Sequence, residues 1–157
     1  MAVSDQRFIV MMIPHHDGAI AMADLALTRA RHPELKALAQ RIATSQRREN
    51  AQMRAWYRQW YGTEVPAWTG GPGMGYGMGM GMGGAEVGLA ALQAAPDFDR
   101  AFIEQMIPHH RMGVMMASHA LMATDHPQLR KLQEGMVRVQ SQEIRQMADW
   151  YRRWFSS

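Results

Sequence analysis

Two stretches decide the fold: FIVMMIPHHDGAIAMADLAL, from Phe8 to Leu27, and FIEQMIPHHRMGVMMASHAL, from Phe102 to Leu121. They stand 94 positions apart, and the match continues without a gap. RHPELKALA, from Arg31, faces DHPQLRKLQ, from Asp125; QMRAWYRQW, from Gln52, faces QMADWYRRW, from Gln146. Of the 54 positions that pair 8–61 with 102–155, 23 are identical, far above chance, and self-similarity at one fixed offset marks an internal duplication.

Each copy reads as a helical hairpin. In the first helix apolar residues recur at Phe8, Ile9, Met12, Ile13, Ile20, Ala23 and Leu27, near a 3.6-residue period. His32-Pro33 and His126-Pro127 then interrupt the pattern. The residue before a proline avoids the helical region, and proline suits the first turn of a new helix. The second helix carries Leu35, Leu38, Ile42, Ser45, Glu49, Met53, Trp56 and Trp60 on one face; its copy carries Leu129, Leu132, Met136, Val139, Glu143, Met147, Trp150 and Trp154. A short connection makes antiparallel neighbours, and two hairpins can cover the apolar faces that one leaves open. The expected fold is all-α, a four-helix bundle built from two duplicated hairpins at 4–61 and 97–156, joined by a linker at 62–96 into one domain.

The linker differs from its flanks. Ten of the 14 glycines fall in 62–84, alternating with Met74, Met78, Met80 and Met82. Glycine at every second position disfavours both helix and strand, so a flexible connection is expected there. A short helix is expected over 85–94, with Pro96-Asp97 as a cap before the second hairpin.

Composition narrows the chemistry. A chain of 157 residues is one domain by length. Its net charge of +3 is too small to be a nucleic-acid footprint by itself. No run of 18 apolar residues occurs, so no membrane span is expected. The absence of cysteine excludes disulfides, thiolate metal sites, iron–sulfur clusters and thiol nucleophiles. Methionine is the outlier at 16, beside 7 histidines, so the soft donors available are thioethers and imidazoles.

Met-Ile-Pro-His-His, at Met12–His16 and Met106–His110, is the sharpest motif. Adjacent histidines on a helix diverge by about 100° and do not chelate one ion as an i, i+4 pair would. Met12, however, stands three and four residues before His15 and His16, and Met22 seven after His15. In the second copy Met106, His109, Met112, Met116 and His119 form one stripe, and His110 adjoins it. A methionine stripe alone reads as core packing. Buried histidine pairs in both copies are costly without a purpose, and they point to a metal. His32 and His126 read as caps of the hairpin turns. Glu49 and Glu143, set among apolar residues, read as groups that orient a histidine or pair with an arginine such as Arg48. A ferritin-type di-iron site needs Glu-x-x-His, and no glutamate here has histidine three residues later. Thioether with imidazole suits Cu(I), and Ag(I) by the same softness.

Phe-Ile-x-x-Met-Ile-Pro-His-His, then His-Pro-x-Leu, then Gln-Met-x-x-Trp-Tyr resembles the domain-of-unknown-function family 305, as does Pro-Asp-Phe-Asp-Arg-Ala-Phe-Ile before the second motif. The resemblance covers both copies. It implies a ferritin-like helical bundle, usually exported, with copper or silver held in some members by Met and His; here those are His15, His16, His109, His110 and the methionines beside them. The first copy departs from the second by having Gly18 and Ala21 where the second has Met112 and Met115.

The expected role is metal binding rather than catalysis: sequestering or carrying copper, as Cu(I), outside the cytoplasm. The periplasm or a secreted location fits a chain without thiols, although no leader is visible in it. A copper-exporting or copper-accepting protein is the expected partner. The alternatives are a purely structural bundle without metal and, behind it, a ferritin-like redox enzyme using Glu49 and Glu143.

Overall fold

Ser4 and Asp97 start the two helices that carry the paired motifs. Each lies in extended backbone, and its side chain accepts from the N–H three residues on, at Arg7 and Arg100, which satisfies a donor the helix leaves open. The computed structural model describes residues 3–68 and 82–156, the side chains of 82–87 excepted. Every regular element among them is helical: α1 Asp5–Arg29, α2 Pro33–Tyr61, α3 Met82–Ala94, α4 Phe98–Ala120 and α5 Pro127–Phe155. The all-α expectation holds. α1 and α4 run on through Pro14 and Pro108, and α2 and α5 begin at Pro33 and Pro127. Gly62 stops α2 in the left-handed region at φ 76°, its N–H donating to Arg58, a conformation glycine adopts without a β-carbon clash.

α1 packs on α2, α4 on α5, and α1 on α4; the short α3 rests on α1 and α4. The core divides into two apolar clusters. One holds Met22 and Ala26 of α1, Leu38 and Ile42 of α2, Phe102 and Met106 of α4, Met147 and Trp150 of α5, and Leu92 of α3. The other holds Phe8 and Met12 of α1, Met53 and Tyr57 of α2, Met112 and Met116 of α4, and Leu129 and Met136 of α5. The start of α1 thus meets the end of α4, so the two run antiparallel.

Between the clusters each long helix turns polar groups inward: His16 from α1, Gln46 and Asn50 from α2, His109 and His110 from α4, Gln140 and Glu143 from α5, all buried. This polar layer corrects the expected faces. On α5 the buried positions are Leu129, Gln133, Met136, Gln140, Glu143, Met147 and Trp150. Val139 is 40% exposed, because Gln140 takes the inward place that apolar patterning gives to Val139. Gln46 does the same beside Ser45 on α2. Among the described residues no helix is long and apolar enough to cross a membrane.

Candidate metal centre

His16 and His110 occupy matching places. His16 Nε2 lies 2.7 Å from Glu49 Oε1, and His110 Nε2 lies 2.8 Å from Glu143 Oε1. A carboxylate placed so accepts from a neutral imidazole's Nε2–H and leaves the ring's lone pair on Nδ1. Both Nδ1 atoms are sealed from solvent without a hydrogen-bond partner. Glu49 and Glu143 therefore orient histidines, as their place in the sequence suggests, and Arg48 takes no part.

His15 and His109 meet across the α1–α4 contact. Their rings stack with centroids 3.8 Å apart and 13° from parallel. Burial above all, then the neighbouring histidines, holds His15 well below the ordinary imidazole range. The same causes push His109 down to about 3. Both are neutral at pH 7. Both nitrogens of His15, and Nδ1 of His109, lack partners. Glycine makes the approach possible: a β-carbon at Gly18 would stand 3.2 Å from His109 Nε2, and one at Gly113 would stand 3.2 Å from His15 Cε1 and 2.7 Å from Gln140 Oε1.

Buried polar atoms are normally paired, so this concentration of unpartnered nitrogens and oxygens marks the candidate site. The amide oxygens of Gln46, Asn50 and Gln140 add to it. Thioethers flank the layer on both sides: Met12, Met112 and Met116 in one cluster, Met22 and Met106 in the other. Each side draws on both α1 and α4. Among the described residues no three His, Cys, Asp or Glu side chains converge on one point.

Two expectations need correction. His119 is exposed and does not join the cluster. It falls at the edge of the stripe, on the side of α4 that also exposes Met115, while Ala117 and Ala120 in the same turn stay buried. His32 and His126 do stand at the N-caps of α2 and α5, but neither side chain caps its helix. Instead His32 Nδ1 lies 2.5 Å from Asp99 Oδ2, and Asp99 also accepts from the N–H of Arg31 and His32. His126 Nδ1 lies 2.7 Å from Asp5 Oδ2, which accepts from the N–H of Asp125 and His126. His32 stacks on Trp154 at 3.6 Å and His126 on Trp60 at 3.5 Å. These carboxylates were legible, since Asp5 and Asp99 obey the 94-residue offset just ahead of the matched stretch. Met74, Met78 and Met80, and the side chain of Met82, lie outside the described residues.

The model of one family, "Domain of unknown function (DUF305)", matches residues 5–151. The chain is similar to CopM in its Cu(II)-bound form, at 47% identity and a TM-score of 0.87, covering 99% of this chain and 100% of that one. The Cu(I)-bound form of CopM gives 45% and 0.85, covering 98% and 99%, and an Ag-bound form 45% and 0.84, covering 99% and 100%. A DUF305 fragment from Deinococcus radiodurans is 30% identical with a TM-score of 0.81, covering 95% of each chain. No curated protein matches the chain.

Proposed function

This chain belongs to the DUF305 family, and from that premise we propose that it binds copper as Cu(I), and Ag(I) in its place, through methionine and histidine side chains. CopM, similar over nearly the whole length, has been solved with Cu(I), Cu(II) and Ag, which points to a copper- or silver-associated protein. The observation that carries the reading is the pair of unpartnered Nδ1 atoms on His16 and His110, each fixed by a glutamate behind the ring. A carboxylate behind an imidazole sets the tautomer and raises the basicity of the other nitrogen, as it does for metal-bound histidines. The donors at hand are neutral imidazole and thioether, the types that suit soft ions, and the ligands are His15, His16, His109 and His110 with Met12, Met22, Met106, Met112 and Met116.

The role is sequestration or transport rather than catalysis. A ferritin-like four-helix bundle of two duplicated hairpins holds the ion between its halves, in an exported protein that exchanges it with a copper-exporting or copper-accepting partner. Competition with a Cu(I) chelator, on the wild type and on the variant with all four layer histidines replaced by alanine, tests this. Binding by the wild type and its loss in the variant is the expected result. No binding tighter than millimolar by the wild type ends the reading. The packing-only alternative draws on the complete burial of Met12 and Met106. It requires the histidine variant to change stability while copper affinity stays as it was.

A further inference from the structure

Nine of the eleven methionines whose side chains are described are buried. The two that are not, Met115 at 45% exposure and Met122 at 82%, stand on either side of His119. His119 is the one exposed histidine among the described residues. Core packing, the ordinary reason for methionine, does not account for residues that pack on so little. We propose that Met115, His119 and Met122 form a solvent-facing binding site for a soft monovalent cation, Ag(I) or Cu(I), separate from the buried polar layer.

The backbone brings the three into one stripe. Met115 and His119 are four residues apart on α4, and helical residues so spaced are surface neighbours. Beyond Ala120 the chain tightens rather than departs: the N–H of Met122 donates to the His119 carbonyl at 3.2 Å, and that of Ala123 to the Ala120 carbonyl at 3.0 Å. An i to i+3 hydrogen bond of this kind brings side chains three apart into register. Met122 therefore stands over His119 on one side, and Met115 lies below it on the other.

The donor set selects the ion. Two thioethers and one imidazole are soft donors, which favours Cu(I) and Ag(I) and offers little to magnesium or calcium. The carbonyl end of α4 favours a cation. Arg130 bonds the Leu121 and Thr124 carbonyls, so the side chains are the ligands left on offer. The 94-residue offset places Ala21, Leu25 and Thr28 at the matching positions of α1, none of which is a soft donor, so the site exists once per chain. Its exposure suits exchange with another carrier, whereas the buried layer suits retention. The proposal does not depend on how the buried layer is read.

The test is Ag(I) titration of the full chain carrying ¹³C-methyl methionine, followed by NMR. Met115→Leu and Met122→Leu assign the two exposed methyls. These positions are on the surface, where substitution leaves the fold intact. The expected result is that both methyls shift together along one saturating curve and lose most of that shift in His119→Ala. In the His16→Ala/His110→Ala variant the exposed pair is expected to shift as in the wild type. Methyls that stay still up to millimolar Ag(I), or move equally in His119→Ala, overturn the proposal. Loss of their shift in the His16/His110 variant overturns the separateness of the site. A shift of the exposed pair with no binding in the layer upholds this site and refutes the proposed function instead.

Discussion

The imidazoles of His15 and His109 lie face to face, 3.8 Å apart, although they belong to helices from opposite halves of the chain. Two protonated rings could not share that position, so the packing of α1 on α4 is tied to their neutrality.

Acid is therefore expected to unfold the metal-free protein early. Above pH 6.5 the two histidines are neutral in both folded and unfolded chains and contribute no pH dependence. Below it, the unfolded chain takes up protons that the folded one cannot. Stability falls by about 1 kcal/mol per pH unit for each, down to about pH 3 for His109. Asp5 adds a further loss only at lower pH. Burial opposes its ionisation, but the Thr124 hydroxyl, the His126 side chain and the Asp125 and His126 N–H groups hold it below its ordinary 3.8. Urea unfolding between pH 7.5 and pH 5 measures the slope. A flat profile removes the neutral stack from the account.

Glu49→Gln and Glu143→Gln are expected to weaken Cu(I) binding by about 10–100-fold each while preserving the helices, because the amide keeps the shape but not the charge behind the imidazole. Chelator competition and circular dichroism separate the two effects. Unchanged affinity in both variants rules the glutamates out as tuning groups.

Asp99→Ala strands the Arg31 and His32 N–H groups and the His32 ring, and is expected to cost about 2–4 kcal/mol. Asp5→Ala strands the corresponding groups at Asp125 and His126 and is expected to cost a similar amount. Asp149→Ala, which loses only the exposed pairs to Arg152 and Arg153, is the control and stays within about 0.5 kcal/mol. Thermal melts decide; equal stability of all three variants contradicts the assignment of these carboxylates.

Leu92 of α3 is completely buried in the cluster with Phe102 and Ile42. Leu92→Ala is expected to cost about 2–5 kcal/mol in denaturant unfolding. Deletion of 73–83 leaves Leu92 in the chain and is expected to leave the melting of the helices nearly unchanged. A larger loss from the deletion than from the substitution reverses this picture of the connection.

The helices were legible because proline and apolar spacing act locally. His32-Pro33 and His126-Pro127 mark the turns, and Phe8, Ile9 and Met12 mark the face of α1. The histidine pairs were legible because they recur. Gln46, Gln133 and Gln140 were not, since apolar patterning assigns glutamine to solvent, and only the facing helices reveal that these amides turn inward. His119 shows the opposite error: it follows buried Met116 by three residues, but it also follows Met115 by four, and Met115 lies on the exposed side of α4. The aspartate partners of His32 and His126 lie 67 and 121 residues away along the chain, so periodicity within one helix cannot find them.

Those long-range pairs are crossed. Asp99, at the start of α4, holds the turn between α1 and α2, while Asp5, at the start of α1, holds the turn between α4 and α5. Each bend takes its carboxylate from the other half. Each half is in effect the other's template, and a hairpin cut free would lose its fastening along with its apolar cover. The molecule is then expected to melt as one cooperative unit rather than as two foldons. Severing the glycine-rich connection would turn it into an obligate pair of fragments whose stability depends on their concentration.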